Sequence, residues 1–212
     1  MTMDNAIKAL SSDILKIVND NYVLGLGSGR AATALVRSLS SYLKEKNIRV
    51  KAVPTSLQIK LEAERGGIPI IEADQIDEEK NMIKGGGGAL LRENILINIA
   101  KKVVIIADES KFVKKLNRSV PIEVHPFARN TAAKQIQKYG GKTILRTIER
   151  GYPFVTENGN IILDSDFGEI SKPRELVEKL IQIPGVIEVG IFTRKPDIIY
   201  KIKENGSFDV LT

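Results

Sequence analysis

The chain has 212 residues, 42% of them hydrophobic, and a formal net charge of +6. This length suits one large domain, or a domain with a smaller partner. The absence of cysteine and the single histidine, His125, exclude disulfides, thiol nucleophiles and ordinary zinc sites. No segment reaches the roughly 20 apolar residues of a membrane span, and residues 1–10 lack the apolar run of a signal peptide, so we expect a cytoplasmic protein.

The basic residues are spread along the chain with acidic residues between them, and only 5% of residues are aromatic. Few aromatic side chains leave few platforms on which nucleic-acid bases could stack. The charge excess therefore favours an anionic small substrate over a nucleic acid. We expect neither a nucleic-acid partner nor a membrane partner.

In chain order, hydrophobic spacing predicts alternating helices and strands in the first half of the chain. Helices are predicted at 4–18, 31–46 and 57–65 and after a glycine run at 85–88; strands are predicted at 22–26, 48–53, 68–71 and 102–107. Residues 72–81 are polar and are interpreted as a connection. Alternation of this kind favours an α/β fold, with a parallel sheet covered by helices on both faces.

The pattern changes after about residue 118. Strands are predicted at 120–124, 143–148, 186–192 and 197–202, helices at 127–139 and 173–181, and a hairpin turn at Asn158-Gly159. These elements predict a small α+β domain at 119–192. The last strand is expected to return to the main sheet, so the first domain comprises 1–118 and 193–212.

A glycine turn at 27–30 follows the first strand directly and precedes a helix. Its spacing formally matches a dinucleotide-binding fingerprint, but no acidic residue ends the second strand, where a ribose would need one. The P-loop pattern is absent as well. A small anion site remains, formed by the amides of Ser28, Gly29, Arg30 and Ala31, with the Ser28 hydroxyl and Arg30 as further candidates. A plain tight turn is the alternative.

The second glycine-rich stretch is Lys84 followed by Gly85 to Gly88, and an apolar helical pattern comes next. Four glycines lose much backbone entropy when they are ordered, so an ordered run usually has to approach something closely. Loop amides, a helix N-terminus and the Lys84 cation would together suit an anionic ligand. The alternative is a flexible linker before a surface helix.

Two anion-type loops suggest a phosphorylated metabolite, and a nearby carboxylate would then be the expected base. The candidates are Glu93, Asp74, Asp77 and Asp108. An oxyanion formed by proton abstraction next to a carbonyl could be stabilised by Lys84, by the glycine amides or by Lys111. Such a site needs neither a metal nor another cofactor.

Several motifs, in order along nearly the whole chain, resemble those of ribose-5-phosphate isomerase, type A. They lie at residues 25–31, 54–58, 83–93, 106–111, 121–128, 155–160 and 183–186. The resemblance implies cofactor-free interconversion of ribose 5-phosphate and ribulose 5-phosphate through an enediolate, in the pentose phosphate pathway. It also implies a Rossmann-like α/β domain with a small α+β domain, and a homodimer or homotetramer.

The resemblance also assigns site residues. The general base falls on Glu93, and the substrate-binding segments fall on Ser28 to Ala31, on Lys84 with Gly85, Gly86 and Gly87, and on Lys111. Two departures stand out. Arg30 and Ala31 replace hydroxyl residues, and the segment before Lys84, which in the family contains Asp-Gly-Ala-Asp, is about a dozen residues shorter than expected.

Aligned backwards from Lys84, Asp74 takes the place of the second aspartate, beside Ala73, and Ile71 takes that of the first. Aligned forwards from Gly67, the strand and both aspartates are missing. The first alignment makes Ala73 and Asp74 substrate-binding residues, and Asp74 also a catalytic candidate beside Glu93 and Lys84. Because one carboxylate is lost in either case, a non-catalytic sugar-phosphate-binding or sensing protein is the alternative function.

Overall fold

The computed structural model describes residues 11–20, 22–26, 30–56 and 71–212, with the backbone alone at 26, 30–35, 51–53 and 71–72. The described helices are α1 (Arg30–Lys46), α2 (Leu90–Ile99), α3 (Arg129–Lys138) and α4 (Pro173–Leu180). The strands are β1 (Tyr22–Leu26), β2 (Val50–Pro54), β3 (Ile71–Glu72), β4 (Gln75–Ile76), β5 (Met82–Ile83), β6 (Val104–Asp108), β7 (Val120–Val124), β8 (Lys142–Leu145), β9 (Ile161–Asp166), β10 (Val186–Val189), β11 (Ile191–Phe192), β12 (Ile198–Ile202) and β13 (Phe208–Leu211).

The chain divides into two compact units. Unit 1 comprises residues 1–73, 96–111 and 196–212, and unit 2 comprises 74–95 and 112–195. Residues 74–95 thus lie in unit 2, whereas the predicted division kept them in the first domain. Because compactness alone does not define a folding domain, the predicted domain boundaries stay a prediction.

Unit 1 contains parallel strand pairs. β1 pairs with β2, and β6 pairs in parallel with both β3 and β12, while β13 is an antiparallel edge strand beside β12. A core of aliphatic side chains lies between residues 11–18, α1 and strands β6 and β12, and Tyr200 belongs to it. The Tyr200 hydroxyl donates a hydrogen bond to Asp13. The last predicted strand does pair in parallel with β6, as we expected, but β13 was not predicted.

Unit 2 contains two antiparallel sheets. The larger has the strand order β10-β7-β9-β8, and the smaller has the order β11-β5-β4. Every residue of β7 is buried, and its apolar side chains pack in a core with residues of α3 and α4. Pro173 starts α4 at a position where no intrahelical N–H is needed, in agreement with the predicted start of this helix.

Several predicted elements need correction. Residues 72–81 are not a plain connection, because β3 ends and β4 lies within them. The single strand predicted at 186–192 is two strands, β10 and β11, separated by Gly190. The hairpin turn at Gly159 is confirmed, although its first arm is only an isolated bridge between Val155 and Ile161. The predicted helix at 57–65 lies outside the described residues.

The fold is therefore mixed α/β, and among the described strands antiparallel pairs outnumber parallel ones. A continuous parallel sheet with helices on both faces, as predicted, is not evident in the part of the chain that the structure describes. Among the antiparallel pairs, β4–β5 and β12–β13 are consecutive strands joined by short turns, which suit antiparallel pairing. None of the described helices is long and apolar enough to cross a membrane.

Gly190 is a point where the backbone of unit 2 tolerates no side chain. A Cβ there would lie 2.5 Å from the Lys84 carbonyl oxygen and 2.7 Å from that of Pro121. We expect Gly190→Ala to lower the free energy of unfolding by about 3 kcal/mol, as a severe case of overpacking against backbone atoms. Chemical denaturation would measure the loss.

Gly168→Ala is the matched control. Gly168 has a φ of +63°, and a Cβ added there would meet no other atom within 4 Å, so only backbone strain opposes the substitution. We expect a loss of about 1 kcal/mol there. If Gly190→Ala proved no more destabilising than Gly168→Ala, the close packing around Gly190 would not matter for stability.

Candidate active site

The small sheet of unit 2 places two of the predicted site residues. Asp74 immediately precedes β4, and its N–H donates to the Ile83 carbonyl oxygen at 2.9 Å. Lys84 immediately follows β5, and its N–H donates to the Gly190 carbonyl oxygen at 3.0 Å. These backbone bonds continue the β4–β5 and β5–β11 pairings by one residue. Asp74 and the start of the glycine run therefore lie at the same end of this sheet.

Close packing explains three of the four glycines. Gly85 has a φ of +99°, and a Cβ there would lie 2.9 Å from Leu90 Cβ. The Gly86 N–H donates to Oδ2 of Asp74 at 2.8 Å, and a Cβ on Gly86 would lie 2.7 Å from Oδ1 of the same carboxylate. Gly88 has a φ of +81°, and a Cβ there would lie 2.5 Å from the ring of Phe154. The run is thus an ordered loop with close neighbours. The linker alternative for this stretch is wrong.

Lys84 and Glu93 form a buried ion pair. Lys84 Nζ lies 3.5 Å from Glu93 Oε1, and the two side chains are 1% and 3% exposed. Lys84 Nζ also lies 5.9 Å from the centroid of the Phe192 ring, within the range of a cation–π contact. Attraction between two charges is much stronger in such a water-poor site than at the surface. The structure thus brings together Glu93, the predicted base, and Lys84, the predicted binding lysine.

Helix α2 begins at Leu90, one residue beyond the glycine run, and Glu93 lies in its first turn. The positive end of the helix dipole is at this end and stabilises a negative charge there. The neighbours of Glu93 in the sequence fix the helix within unit 2. Arg92 donates to Glu157 and Asn158 of the hairpin turn, and Asn94 Nδ2 donates to Glu188 at 2.8 Å.

A polar cluster, comprising Glu123, Glu188, Thr156, Asn158 and Asn160, lies beside this helix, and all of its members except Asn158 are buried. Oε1 of Glu123 accepts from Thr156, Asn158 and Asn160 at 2.9 to 3.0 Å. Glu188 is paired with Glu123 in the β10–β7 register. Burial raises the pKa of Glu188, hydrogen bonds from Asn94 and the Val189 N–H oppose the rise, and the Glu123 charge adds to it.

The remaining predicted site residues belong to unit 1, to the turn between β4 and β5, or to the residues that the structure does not describe. Ser28 and Gly29 lie outside the described residues, and the structure describes only the backbone of Arg30 and Ala31, at the start of α1. Lys111 ends a short 3-10 turn after β6 in unit 1, and Ala73 is buried in the same unit. Asp77 is buried and accepts hydrogen bonds from Asn81, which indicates a role in the turn between β4 and β5.

One pair of charged residues at the glycine run was not predicted. Arg146 donates to both oxygens of Asp164 and also to the carbonyl oxygens of Gly85 and Gly86. Arg146 is far from the glycine run in the sequence. A charged residue near the end of an edge strand carries no local signal of such a contact.

Within the ranges that the structure describes, no three histidine, cysteine, aspartate or glutamate side chains are grouped as a metal would require. Asp74, Lys84 and Glu93, with the glycine run, instead offer a carboxylate base, a cation and backbone amides.

A family model described as ribose 5-phosphate isomerase A (phosphoriboisomerase A) matches residues 51–206, which is more than half of the chain. The chain belongs to the ribose 5-phosphate isomerase A family. Ribose-5-phosphate isomerase A from Archaeoglobus fulgidus is 40% identical over 196 residues, covering 85% of this chain and 87% of the relative. The resemblance inferred from the sequence motifs is confirmed.

Solved structures of the family agree over the whole chain. Ribose 5-phosphate isomerase A from Methanocaldococcus jannaschii is 31% identical, with a TM-score of 0.91 and full coverage of both chains. A D-ribose-5-phosphate isomerase in complex with phospho-erythronic acid is 33% identical, with a TM-score of 0.92, covering 100% of this chain and 99% of that one. The mixed α/β fold of this chain is thus that of the family.

The raised pKa of Glu188 predicts how stability depends on pH. A carboxyl whose pKa is higher in the folded than in the unfolded protein binds its proton more tightly when folded. It therefore contributes most to stability below its ordinary pKa of 4.5, and the contribution is lost as the pH rises through the folded pKa. We expect Glu188→Gln, which cannot ionise, to lose less stability than the unsubstituted protein as the pH rises above 4.5.

Melting temperatures from about pH 4 to about pH 8 would measure this difference, since the two proteins should diverge over this range. Glu178→Gln, at an exposed position on α4, is the control and should follow the unsubstituted protein at every pH. A constant difference between Glu188→Gln and the unsubstituted protein over this range would contradict the assignment.

Proposed function

We propose that this chain is a ribose-5-phosphate isomerase, an aldose–ketose isomerase that interconverts ribose 5-phosphate and ribulose 5-phosphate in the pentose phosphate pathway. Membership of the family supports the activity. The single structural observation that carries the chemistry is the buried pair of Lys84 and Glu93 beside an ordered glycine loop. The pair offers a base and a cation in one water-poor place, which is what this reaction requires.

Glu93 is the proposed base. Its carboxylate takes the proton from C2 of the aldose, the C–H electrons form the C1–C2 double bond of an enediolate, and the negative charge moves to the former carbonyl oxygen. The hydroxyl proton then moves from O2 to O1, the O2 electrons form the C2 carbonyl group, and the proton on Glu93 is delivered to C1, which gives the ketose. A carboxylate suits this transfer because proton removal next to a carbonyl needs a fixed base within hydrogen-bond reach.

Lys84 is the proposed electrostatic partner of the enediolate. Before the transfer, its positive charge faces the Glu93 carboxylate at 3.5 Å. When Glu93 takes the proton, its negative charge disappears while an equal charge forms on the substrate oxygen. The Lys84 charge can then stabilise the oxyanion with no change in the net charge of the buried site, which is a form of electrostatic preorganisation.

The remaining sequence predictions become proposals about substrate binding. We assign Asp74 and the Gly85 to Gly87 segment to the substrate, together with Ala73, Lys111 and the first loop at 28–31. The support for Asp74 is its contact with the Gly86 N–H. The pairing of Ile71–Glu72 with β6 supports the alignment that gives Asp74 the place of the family's second aspartate, since a strand is present there.

We also propose the finer architecture, location and assembly that the resemblance implies. These are a Rossmann-like domain at 1–118 and 193–212 with a small α+β domain at 119–192, a cytoplasmic location and a homodimer or homotetramer. The parallel pairs β1–β2, β3–β6 and β6–β12 support the first point. Light scattering during size-exclusion chromatography would determine the assembly.

The proposed base makes a direct prediction. We expect Glu93→Gln to reduce kcat by about 10²- to 10⁴-fold, the usual contribution of a positioned base, while ribose 5-phosphate still binds. A coupled assay for ribulose 5-phosphate and a calorimetric titration would measure the two properties. Glu178→Gln, on the exposed face of α4, should leave both unchanged. Full turnover in Glu93→Gln would exclude Glu93 as the base.

The same two measurements on the unsubstituted protein separate the enzyme from the sensor alternative, which the shortened segment before Lys84 favours. A sensor would bind ribose 5-phosphate without forming ribulose 5-phosphate. A variant with a family-like strand and Asp-Gly-Ala-Asp inserted after Ile71 provides a comparison. If only that variant formed ribulose 5-phosphate, the shortened segment would be the cause of the missing activity in the unsubstituted protein.

A further prediction concerns Asp74. Asn at this position keeps an oxygen that can accept from the Gly86 N–H but removes the charge. Because a charged acceptor makes a stronger hydrogen bond than a neutral one, we expect Asp74→Asn to raise KM by about tenfold. Steady-state kinetics would measure the change. An unchanged KM would argue against a binding role for this carboxylate.

A further inference from the structure

Arg146 follows β8 and makes a two-pronged ion pair with Asp164 of β9. Nε donates to Oδ2 at 2.8 Å, and Nη2 donates to Oδ1 at 2.5 Å. The side chains of Arg146 and Asp164 are 16% and 29% exposed, so the pair is largely shielded from water. An arginine held in this way has its remaining N–H groups directed along fixed lines, because the guanidinium is planar and rigid.

The other side of the guanidinium holds the glycine run. Nη1 of Arg146 donates to the carbonyl oxygen of Gly85 and to that of Gly86, both at 2.9 Å. Two successive carbonyl groups are therefore turned toward one nitrogen atom. Hydrogen bonds from a charged donor are stronger than those between neutral groups, so this contact strongly favours one orientation of the two peptide units.

That orientation determines where the amides of the run point. In a trans peptide the N–H of the next residue points away from the carbonyl oxygen of the same peptide unit. With both carbonyl groups turned toward Arg146, the N–H groups of Gly86 and Gly87 are turned away from it. The Gly86 N–H meets Asp74 on that side. The Gly87 N–H lies in the exposed part of the run.

The net charge of the arrangement also matters. Asp164 neutralises Arg146, so the guanidinium acts on the loop as a fixed set of donors, with little excess positive charge.

Phe154 adds to the rigidity of the glycine run, since the centroid of its ring lies 5.8 Å from the guanidinium carbon of Arg146 and the ring packs where a Cβ of Gly88 would lie. The glycine run is thus fixed at Gly85, Gly86 and Gly88 by residues of the β8–β9 region.

We propose that Arg146 is a positioning residue, which turns the Gly86 amide toward Asp74 and orients the Gly87 amide for an anionic ligand, while Asp164 holds its guanidinium in place. This inference rests on the proposed function in one respect: the ligand is taken to be the sugar phosphate bound at the glycine run. Arg146 itself touches backbone oxygens and not the substrate. Its loss should therefore weaken binding far more than it slows the proton transfer at Glu93.

The experiment compares Arg146→Met with the unsubstituted protein. We expect KM for ribose 5-phosphate to rise at least about tenfold and kcat to change less than about threefold, because an oriented hydrogen bond to a charged group is typically worth that factor in affinity. The dissociation constant for phospho-erythronic acid, measured by calorimetry, should rise in parallel with KM. Arg174→Met, at an exposed position of α4, is the matched control and should change neither.

Two more variants test whether the planar guanidinium is needed and whether Asp164 acts through Arg146. Arg146→Lys keeps a charge but lacks the planar fork, so its KM should lie between those of Arg146→Met and the unsubstituted protein. Asp164→Asn should raise KM less than Arg146→Met does. In the double variant, the Asp164→Asn change should add nothing to the KM of Arg146→Met, since Asp164 acts only by holding Arg146.

Other results would overturn the proposal. A lower melting temperature with unchanged KM and unchanged affinity would mean that Arg146 is only structural. A fall in kcat with an unchanged KM would also exclude the positioning role. If Arg146→Met did not fold, Arg146→Lys and Asp164→Asn would decide by the same criteria.

The proposed function can fail separately from this inference. If the unsubstituted protein bound phospho-erythronic acid but had no isomerase activity, the function would be wrong, and the affinities of the variants for phospho-erythronic acid would still decide the role of Arg146. If the unsubstituted protein did not bind phospho-erythronic acid, the inference would be wrong as well.

Discussion

The ion pair between Lys84 and Glu93 is the constraint on which the rest of the site depends. Both side chains are almost completely buried, and their charged atoms lie 3.5 Å apart. Removing one partner from a buried pair commonly costs about 3–5 kcal/mol, because the other charge is left without compensation in a poorly solvating environment. The two residues are close in the sequence, but they start from different elements, the end of β5 and the first turn of α2. The chain between them must turn sharply within a few residues, and the glycine run makes that turn.

This requirement connects the chemistry to the packing of unit 2. Lys84 is held through its backbone by Gly190, where a side chain would collide with two carbonyl groups. Helix α2 is held through Arg92 and Asn94, on either side of Glu93 in the sequence. The small β11-β5-β4 sheet therefore fixes Lys84. The hairpin turn at Gly159 and strand β10 fix the helix that carries Glu93. The glycine run between them is held by Asp74, Arg146 and Phe154, so the loop has little freedom although its sequence is the most flexible in the chain.

The short segment before Lys84 is the clearest departure from the family pattern. The structure shows which strand and which carboxylate this segment retains. Ile71–Glu72 pairs in parallel with β6, and Asp74 accepts a hydrogen bond from Gly86. The carboxylate nearest the glycine run is therefore present. The lost carboxylate falls on Ile71 in the alignment that the strand supports. An aliphatic side chain cannot replace the hydrogen bonds or the charge of an aspartate. The assay of isomerase activity therefore shows whether the reaction needs a carboxylate at position 71.

The sequence by itself determined the family and the mixed α/β class, and it predicted Glu93 as the base and Lys84 as a binding lysine. These conclusions depend on local patterns: strand periodicity, a glycine run and motifs of consecutive residues. It also made Asp74 a candidate for substrate binding and catalysis, whereas the contact of Asp74 with Gly86 came from the structure. It could not predict that 74–95 lies in the second compact unit, since compactness depends on contacts between distant segments. The division of 186–192 at Gly190 and the contact of Arg146 with Gly85 and Gly86 were likewise decided only by the tertiary structure. A hydrogen bond between residues so far apart leaves no periodicity or spacing in the sequence, because its geometry is set by how β8 and β9 pack beside the loop.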